Sequence, residues 1–319
     1  MASRAKSTNP LQSLYYLASA AFHRHTRGIP LPAARRLGMR LAETALRMVP
    51  RIRAVGMANL DTAYGDTLSR EEKSALLLES VRNMGIVAGE FSRTPLLDTE
   101  GKDNWFRVKG DELLDRSRGA VFMSAHLGNW EWLAGAGGSI GLRIAEIVRP
   151  FDHPKMNALV DATRQAENVR TIPKHEAVKL LMPLMREGWA AGVLADQNPR
   201  ENALPAAFFG KQTWATVGPA MLAQRARVPI HPATMTRGEN GVYTLEFFPA
   251  LEMQNTGDIL RDLIANTQRC QDAIEVMVRR TPGQWLWFHK RWKRRARLEE
   301  EWRGRCGRGD VAITEDMPC

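Results

Sequence analysis

The segment Ser124-Ala-His126-Leu-Gly128-Asn129-Trp130-Glu131-Trp132 holds the residue types of acid–base chemistry. An imidazole can take a proton from a hydroxyl near neutral pH. A carboxylate beside it can fix its tautomer and stabilise the imidazolium. Glu131 is five residues from His126. On one continuous helix that offset is roughly 140° around the axis, not one face. The two meet only if His126 lies in a strand-to-helix turn and Glu131 in the first helical turn, and Gly128 and Asn129 suit such a turn. The preceding run, residues 120–125, is apolar in the manner of a buried strand. Ligand sites in open α/β sheets gather at the carboxyl ends of strands. His126 and Glu131 are therefore the candidate catalytic pair. No Ser or Cys nucleophile is needed if an acceptor hydroxyl attacks directly. A His-x4-Glu pair also serves as a buried histidine satisfied by a carboxylate, and spacing alone does not separate the two readings.

Three further segments carry binding chemistry. Arg149 follows the apolar run 144–148, and Arg164 lies downstream. Arginines at a sheet edge can clamp a phosphate or an anionic headgroup, although Arg164 equally fits a solvated helix face. Asp196 and Gln197 follow the apolar run 190–195. There they can orient a base or bind a sugar, or an Asp can cap local backbone donors. In residues 284–295, His289, Lys290, Arg291 and Lys293 are interleaved with Trp285, Trp287, Phe288 and Trp292. Such a mixture grips phosphates, stacks on rings or suits a membrane interface. It also reads as a solvated charge run beside core aromatics. No nucleic-acid-binding signature accompanies it.

The elements that must position these residues follow from pattern. Apolar runs at 120–125, 144–148, 190–195, 230–235 and 242–248 alternate with helical stretches at 154–167, 177–186 and 217–227. This predicts an α/β fold with a mostly parallel sheet sandwiched by helices. A long helix is expected over 258–280. Residues 1–100 read as a helical region, 101–298 as the α/β core and 299–319 as a loose tail. Ser69 with Glu72 has the form of a capping box. Residues 11–22 and 32–49 read as helices, the second rich in arginine, suited to lying on a surface.

Neither helix has the length of uninterrupted apolar sequence that crosses a bilayer. The chain of 319 residues carries 45 Lys+Arg against 35 Asp+Glu, a net charge of +10. That surplus favours anionic partners and excludes none of nucleic acid, lipid or acidic protein. The three cysteines lack metal-ligand spacing.

In this order the motifs resemble the bacterial lipid A biosynthesis acyltransferases, the lauroyl/myristoyl late acyltransferases of the His-x4-Asp/Glu glycerolipid acyltransferase superfamily. The resemblance runs over residues 10–297, through VKGDELLDRSRGAVFMSAHLGNWEW, LADQ, FFGKQTWATVGPAMLAQRARVPI and QWLWFHKRWK. It implies that His126 and Glu131 form the catalytic dyad. It implies transfer of a fatty acyl chain from acyl carrier protein, or acyl-CoA, to a hydroxyl of a lipid A precursor or similar saccharolipid. It also implies no cofactor, no metal and no nucleic-acid partner, and work at the cytoplasmic face of the inner membrane. Arg164 and Asp196 match polar positions of the family, and Arg149 and Gln197 are expected to contact substrate. The basic cluster His289, Lys290, Arg291 and Lys293 is expected to face phosphorylated lipid and acidic carrier protein. Backbone N–H groups of the turn at Gly128 and Asn129, or a nearby cation, are expected to stabilise the oxyanion. Another glycolipid or phospholipid acceptor, or a non-catalytic lipid-binding role, stays open at this point.

Overall fold

A computed structural model describes residues 10–308. The N-terminal stretch forms α1 (Pro10–Gly28), α2 (Leu31–Met48), α3 (Pro50–Tyr64) and α4 (Arg70–Phe91). Helix α4 starts as its sequence predicts. The Ser69 hydroxyl accepts from Glu72 N at 3.1 Å, and Ser69 N donates to the Glu72 carboxylate at 2.7 Å. This satisfies backbone donors that would otherwise have no partner at the helix start.

After the short α5 (Lys102–Asn104) the chain alternates. It forms β1 (Phe106–Lys109), β2 (Ala120–Ser124), α6 (Trp130–Ser139), β3 (Ile144–Val148), α7 (Pro154–Arg164), β4 (Val169–Pro173), α8 (Ala177–Arg186) and β5 (Ala190–Leu194). A hairpin, β6 (Ala203–Phe208) with β7 (Lys211–Thr216), precedes α9 (Gly218–Ala226). Then come β8 (Ile230–Arg237), β9 (Tyr243–Phe247), α10 (Ile259–Arg280) and α11 (Ala296–Gly307).

The main sheet has seven strands in the order β1-β9-β8-β2-β5-β3-β4. Its neighbours run parallel except β8 with β9. The expected α/β architecture is therefore present. Side chains of β2 alternate between two apolar layers. Val121 and Met123 join Leu181, Leu222, Ile274 and Trp285 on one face. Phe122 joins Trp132, Ala134 and Ile144 on the other. Burial on both faces is why the strands read as continuous apolar runs.

The β6–β7 hairpin, strand β4 and the C-terminal helix differ from the sequence expectation. Strand β4 (VRTIP) is charged and ends in proline, so no apolar run marks it. Residues 299–307, expected to be loose, are helical. Leu298 and Trp302 are buried against Trp214, Val217 and Ile264. Two large apolar side chains four residues apart, on one helical face, anchor this segment. Residues 309–319 and the polar start, 1–9, lie outside the described residues.

Helices α2 and α4 touch backbone to backbone. A Cβ on Gly38 would strike the carbonyl oxygen of Gly85, one on Gly85 would strike that of Gly38, and one on Gly89 would strike that of Ala34. Only glycine permits this approach. Gly38→Val is expected to destabilise the fold by about 1–3 kcal/mol, the cost of overpacking. A urea melt of this variant that overlays the wild-type curve would show that the two backbones do not meet.

Candidate active site

Strand β2 ends at Ser124, and the chain turns through Ala125–Asn129 before entering α6. Gly128 has φ +63, and a Cβ there would strike the Met235 carbonyl oxygen, so the turn requires glycine. Asn129 caps α6. Its side-chain oxygen accepts from Trp132 N at 3.0 Å. The turn is tied on all sides. Asn129 N donates to Met235 O at 2.8 Å, Gly128 N to Gln284 O at 3.0 Å and Leu127 N to Ala125 O at 2.7 Å. His126 N donates to the Asp196 carboxylate at 3.0 Å. Each backbone N–H from His126 to Asn129 is therefore engaged. Gly128 and Asn129 shape the turn, but their N–H groups face protein acceptors and cannot serve an oxyanion. That corrects the sequence expectation.

Asp196 at the end of β5 is fully buried. Its Oδ1 lies 2.8 Å from His126 Nδ1, and its Oδ2 accepts from Trp285 Nε1 at 2.8 Å. Strands β2 and β5 are neighbours with Ser124 opposite Leu194, so the residues just past their ends converge. The partner of the imidazole is thus Asp196, and not Glu131 as the spacing suggests. Burial opposes charge on both groups. Their mutual attraction outweighs it, so the His126 pKa is raised and the Asp196 carboxyl is held well below the usual carboxylate range. His126 Nε2 points to the open side, where the Gln197 amide nitrogen lies at 3.4 Å. The Trp130 ring packs beside the imidazole at 5.2 Å.

Glu131, in the first turn of α6, forms a two-pronged ion pair with Arg164 at the end of α7. Arg164 Nε lies 2.9 Å from Oε2, and Nη2 lies 2.8 Å from Oε1. Burial disfavours the guanidinium charge, but Glu131 more than compensates and the Arg164 pKa is raised. Glu146 on β3 lies within the field of both partners, and burial pushes its carboxyl up to about 7. One oxygen of Glu146 is buried with no hydrogen-bond partner among the described residues. Behind the turn, Glu90 of α4 is fully buried. It takes Arg35 Nε at 2.5 Å, the Asn129 amide at 2.6 Å and the Tyr243 hydroxyl at 2.7 Å. Burial raises the Glu90 pKa against the pull of Arg35. Neither Glu90 nor Glu146 belongs to a sequence motif. Each stands alone among apolar or helical neighbours, and only the fold gives it partners.

Residues 1–294 match the profile described as bacterial lipid A biosynthesis acyltransferase. The chain belongs to that family. A lipid A biosynthesis palmitoleoyltransferase of Escherichia coli K12 is 24% identical over 274 residues, 84% of this chain and 87% of the relative. A lipid A biosynthesis acyltransferase of Shigella flexneri matches at 24% over the same coverage. A lipid A biosynthesis lauroyltransferase of Escherichia coli K12 is 23% identical over 274 residues.

The aromatic–basic segment of this acyltransferase family member is placed differently from the expectation that all its cations face substrate. Arg291 is fully buried. It donates to Thr213 Oγ1 at 2.9 Å, Trp214 O at 2.7 Å and Gln271 Oε1 at 2.7 Å. It therefore ties the β6–β7 hairpin and α10 to the segment. Sequence cannot distinguish such an arginine from its exposed neighbours. The His289 imidazole is pushed down to about 4 by burial and is uncharged at neutral pH. Its Nδ1 donates to Leu286 O at 3.2 Å. Lys290, Lys293 and Arg149 are exposed.

The imidazole–carboxylate pairing has a direct test. In Asp196→Asn the imidazolium loses its counter-charge while burial persists, so the His126 pKa is expected to fall. Titration of the His126 ring by NMR measures it, and an unchanged or higher value would contradict the pairing.

Proposed function

We propose that this protein transfers a fatty acyl chain from the thioester of acyl carrier protein to a hydroxyl of a lipid A precursor. The observation that carries the reading is the His126–Asp196 pair with Nε2 turned to the open side. With Nδ1–H committed to Asp196, Nε2 of the neutral ring is the free base. The acceptor hydroxyl loses its proton to Nε2, and its oxygen attacks the thioester carbonyl carbon. The tetrahedral intermediate then collapses. The C–S bond breaks, and the leaving thiolate takes the proton from the imidazolium.

The turn N–H groups are engaged, so the oxyanion must be stabilised by side chains. The Gln197 amide lies beside Nε2, and the Arg164 guanidinium supplies positive potential, aligned by Glu131. In this reading Glu131 is a positioning residue for Arg164 and α6. Arg149, Lys290 and Lys293, as exposed cations, suit the phosphates of the acceptor and the acidic carrier protein.

In this reading the reaction takes place at the cytoplasmic face of the inner membrane. On α1, Leu11, Leu14, Tyr15 and Leu17 are exposed by 61–73%. On α2, Leu41 and Met48 are exposed beside the exposed Arg36, Arg40 and Arg47. Apolar side chains projecting beside cations suit an anionic bilayer surface. Among the described residues no helix is long and apolar enough to cross a membrane.

His126→Ala is expected to slow acyl transfer by about 10²–10⁴-fold, the contribution of a positioned general base. An assay with labelled acyl carrier protein and a panel of lipid acceptors measures this, and near wild-type transfer by the folded variant would remove His126 from the mechanism. The His126 pKa is raised, and the neutral ring is the active form. The wild-type kcat/KM should therefore climb with pH through a value above 6.5, the usual His pKa. An acid limb below that value would contradict the charge environment described. At the membrane, Leu14→Asp combined with Leu17→Asp should weaken sedimentation with anionic vesicles, and salt should weaken it for wild type. Equal sedimentation of variant and wild type would exclude α1 as the docking face.

A further inference from the structure

Helix α1 meets the rest of the protein through polar and aromatic side chains. Leu11, Leu14, Tyr15 and Leu17 are exposed, whereas Tyr16 and His23 are partly buried and Thr26 is fully buried. Positions 16, 23 and 26 share one helical face. A surface helix ordinarily buries its apolar stripe. Here the inner face is held by specific ring and hydrogen-bond contacts, and two of them go to α7, the helix that ends in Arg164.

The two contacts lie at opposite ends of α7. The Tyr16 ring stacks on the His153 imidazole, with centroids 5.1 Å apart and planes 15° apart. His153 is the N-cap of α7, and its Nδ1 accepts from Met156 N at 3.3 Å. Two turns further along α1, His23 Nε2 lies 3.1 Å from Thr163 Oγ1. The Thr163 hydroxyl already donates to Leu159 O at 2.7 Å, so it accepts here and the His23 ring donates. Burial and the nearby Arg27 push the His23 pKa down, so the ring is neutral and carries its one proton on Nε2. Thr163 is next to Arg164 in sequence. The His23 ring also meets the Phe91 ring edge-on at 6.0 Å, and the Arg164 guanidinium lies over the same Phe91 ring at 5.9 Å. Helix α7 is shallowly seated, since of its 11 residues only Met156, Val160 and Thr163 are buried. From Arg164 the path to the chemistry is short. Arg164 is paired with Glu131, and the charges of both act on the His126 ring.

We propose that Tyr16 and His23 of α1 are positioning residues for acyl transfer: they hold α7 at both ends and so fix where the Arg164 guanidinium stands relative to His126. The inference rests on the reading above, in which Arg164 stabilises the oxyanion. A misplacement of about 1 Å can cost roughly 10²-fold in rate. An interaction made only in the transition state is lost from kcat and leaves KM alone.

The experiment uses the full chain, labelled acyl carrier protein and a lipid A precursor dispersed in detergent, so that adhesion to a bilayer does not enter the rate. Tyr16→Ala combined with His23→Ala should lower kcat by about tenfold or more and leave KM for both substrates within about twofold. Tyr16→Phe combined with His23→Gln keeps a ring for His153 and a donor for Thr163, and should hold kcat within about twofold of wild type. In an Arg164→Ala background the alanine pair should cost less than about twofold more, because residues that act through one group are not additive. Thr163→Val removes the accepting hydroxyl and should lower kcat by about threefold or more, whereas Thr163→Ser should not. That comparison tests the contact even if the alanine pair fails to fold. Wild-type kcat in the folded alanine pair, or in Thr163→Val, overturns the proposal. A loss that persists in full in the Arg164→Ala background also overturns it, since α1 would then act by another route. Wild-type kcat in Arg164→Ala alone overturns the role of Arg164 and the proposal with it. If wild type transfers no acyl chain, the acyl-transfer reading itself fails, a result separable from all of these.

Discussion

The structure is organised around one buried carboxylate. Asp196 has no exposure to solvent and is ionised, a combination the interior tolerates only when every lone pair is matched. The three donors come from two places in the chain: the backbone and ring of His126, and the Trp285 indole. Meeting that demand requires β2 and β5 side by side, and a strap at 284–287 laid across their ends. The same contacts fix the imidazole tautomer and leave Nε2 unprotonated, facing the Gln197 amide. Stability and chemistry therefore draw on the same hydrogen bonds at this point.

A second buried carboxylate, Glu90, does for the back of the turn what Asp196 does for the front. It gathers Arg35 from α2, Asn129 at the head of α6 and Tyr243 from β9. The Arg35 ion pair ties α2 to α4, and the two hydrogen bonds from Asn129 and Tyr243 join the helical N-terminal region to the α/β layer. The Glu131–Arg164 pair completes the arrangement on the open side by fixing the first turn of α6 to the last turn of α7. Breaking any of these by removing one partner would leave an unmatched buried group, which costs more than the bond itself contributes.

The sequence reveals the elements that obey a simple period. Strands β2 and β5 are apolar on both faces and β3 is apolar but for Glu146, so they stand out as runs, and the capping box at Ser69 marks the start of α4. It hides what depends on crossing the fold. The partner of His126 is 70 residues away, and nothing local distinguishes Asp196 from a loop aspartate. Glu131 is near His126 in sequence, but its contact is Arg164, 33 residues on. Arg291 was hidden for a different reason. A buried arginine and a solvated one have the same letter and the same neighbours, and only the carbonyl, hydroxyl and amide that await it in the interior tell them apart. The helix Ala296–Gly307 is mostly charged and polar, and Leu298 and Trp302 alone are its buried residues.

The contact between α2 and α4 has a mechanical consequence. Most helix pairs are separated by a cushion of side chains whose rotamers can change, so one helix can slide over the other at little cost. At Gly38, Gly85 and Gly89 there is no cushion. Any shear between these helices drives a carbonyl into a backbone, so the two behave as one rigid strut. In this strut α2 carries the exposed Arg36, Arg40, Leu41 and Arg47, and α4 carries Asn83 and Glu90 against the turn. A load applied to the outer helix is passed on without slack.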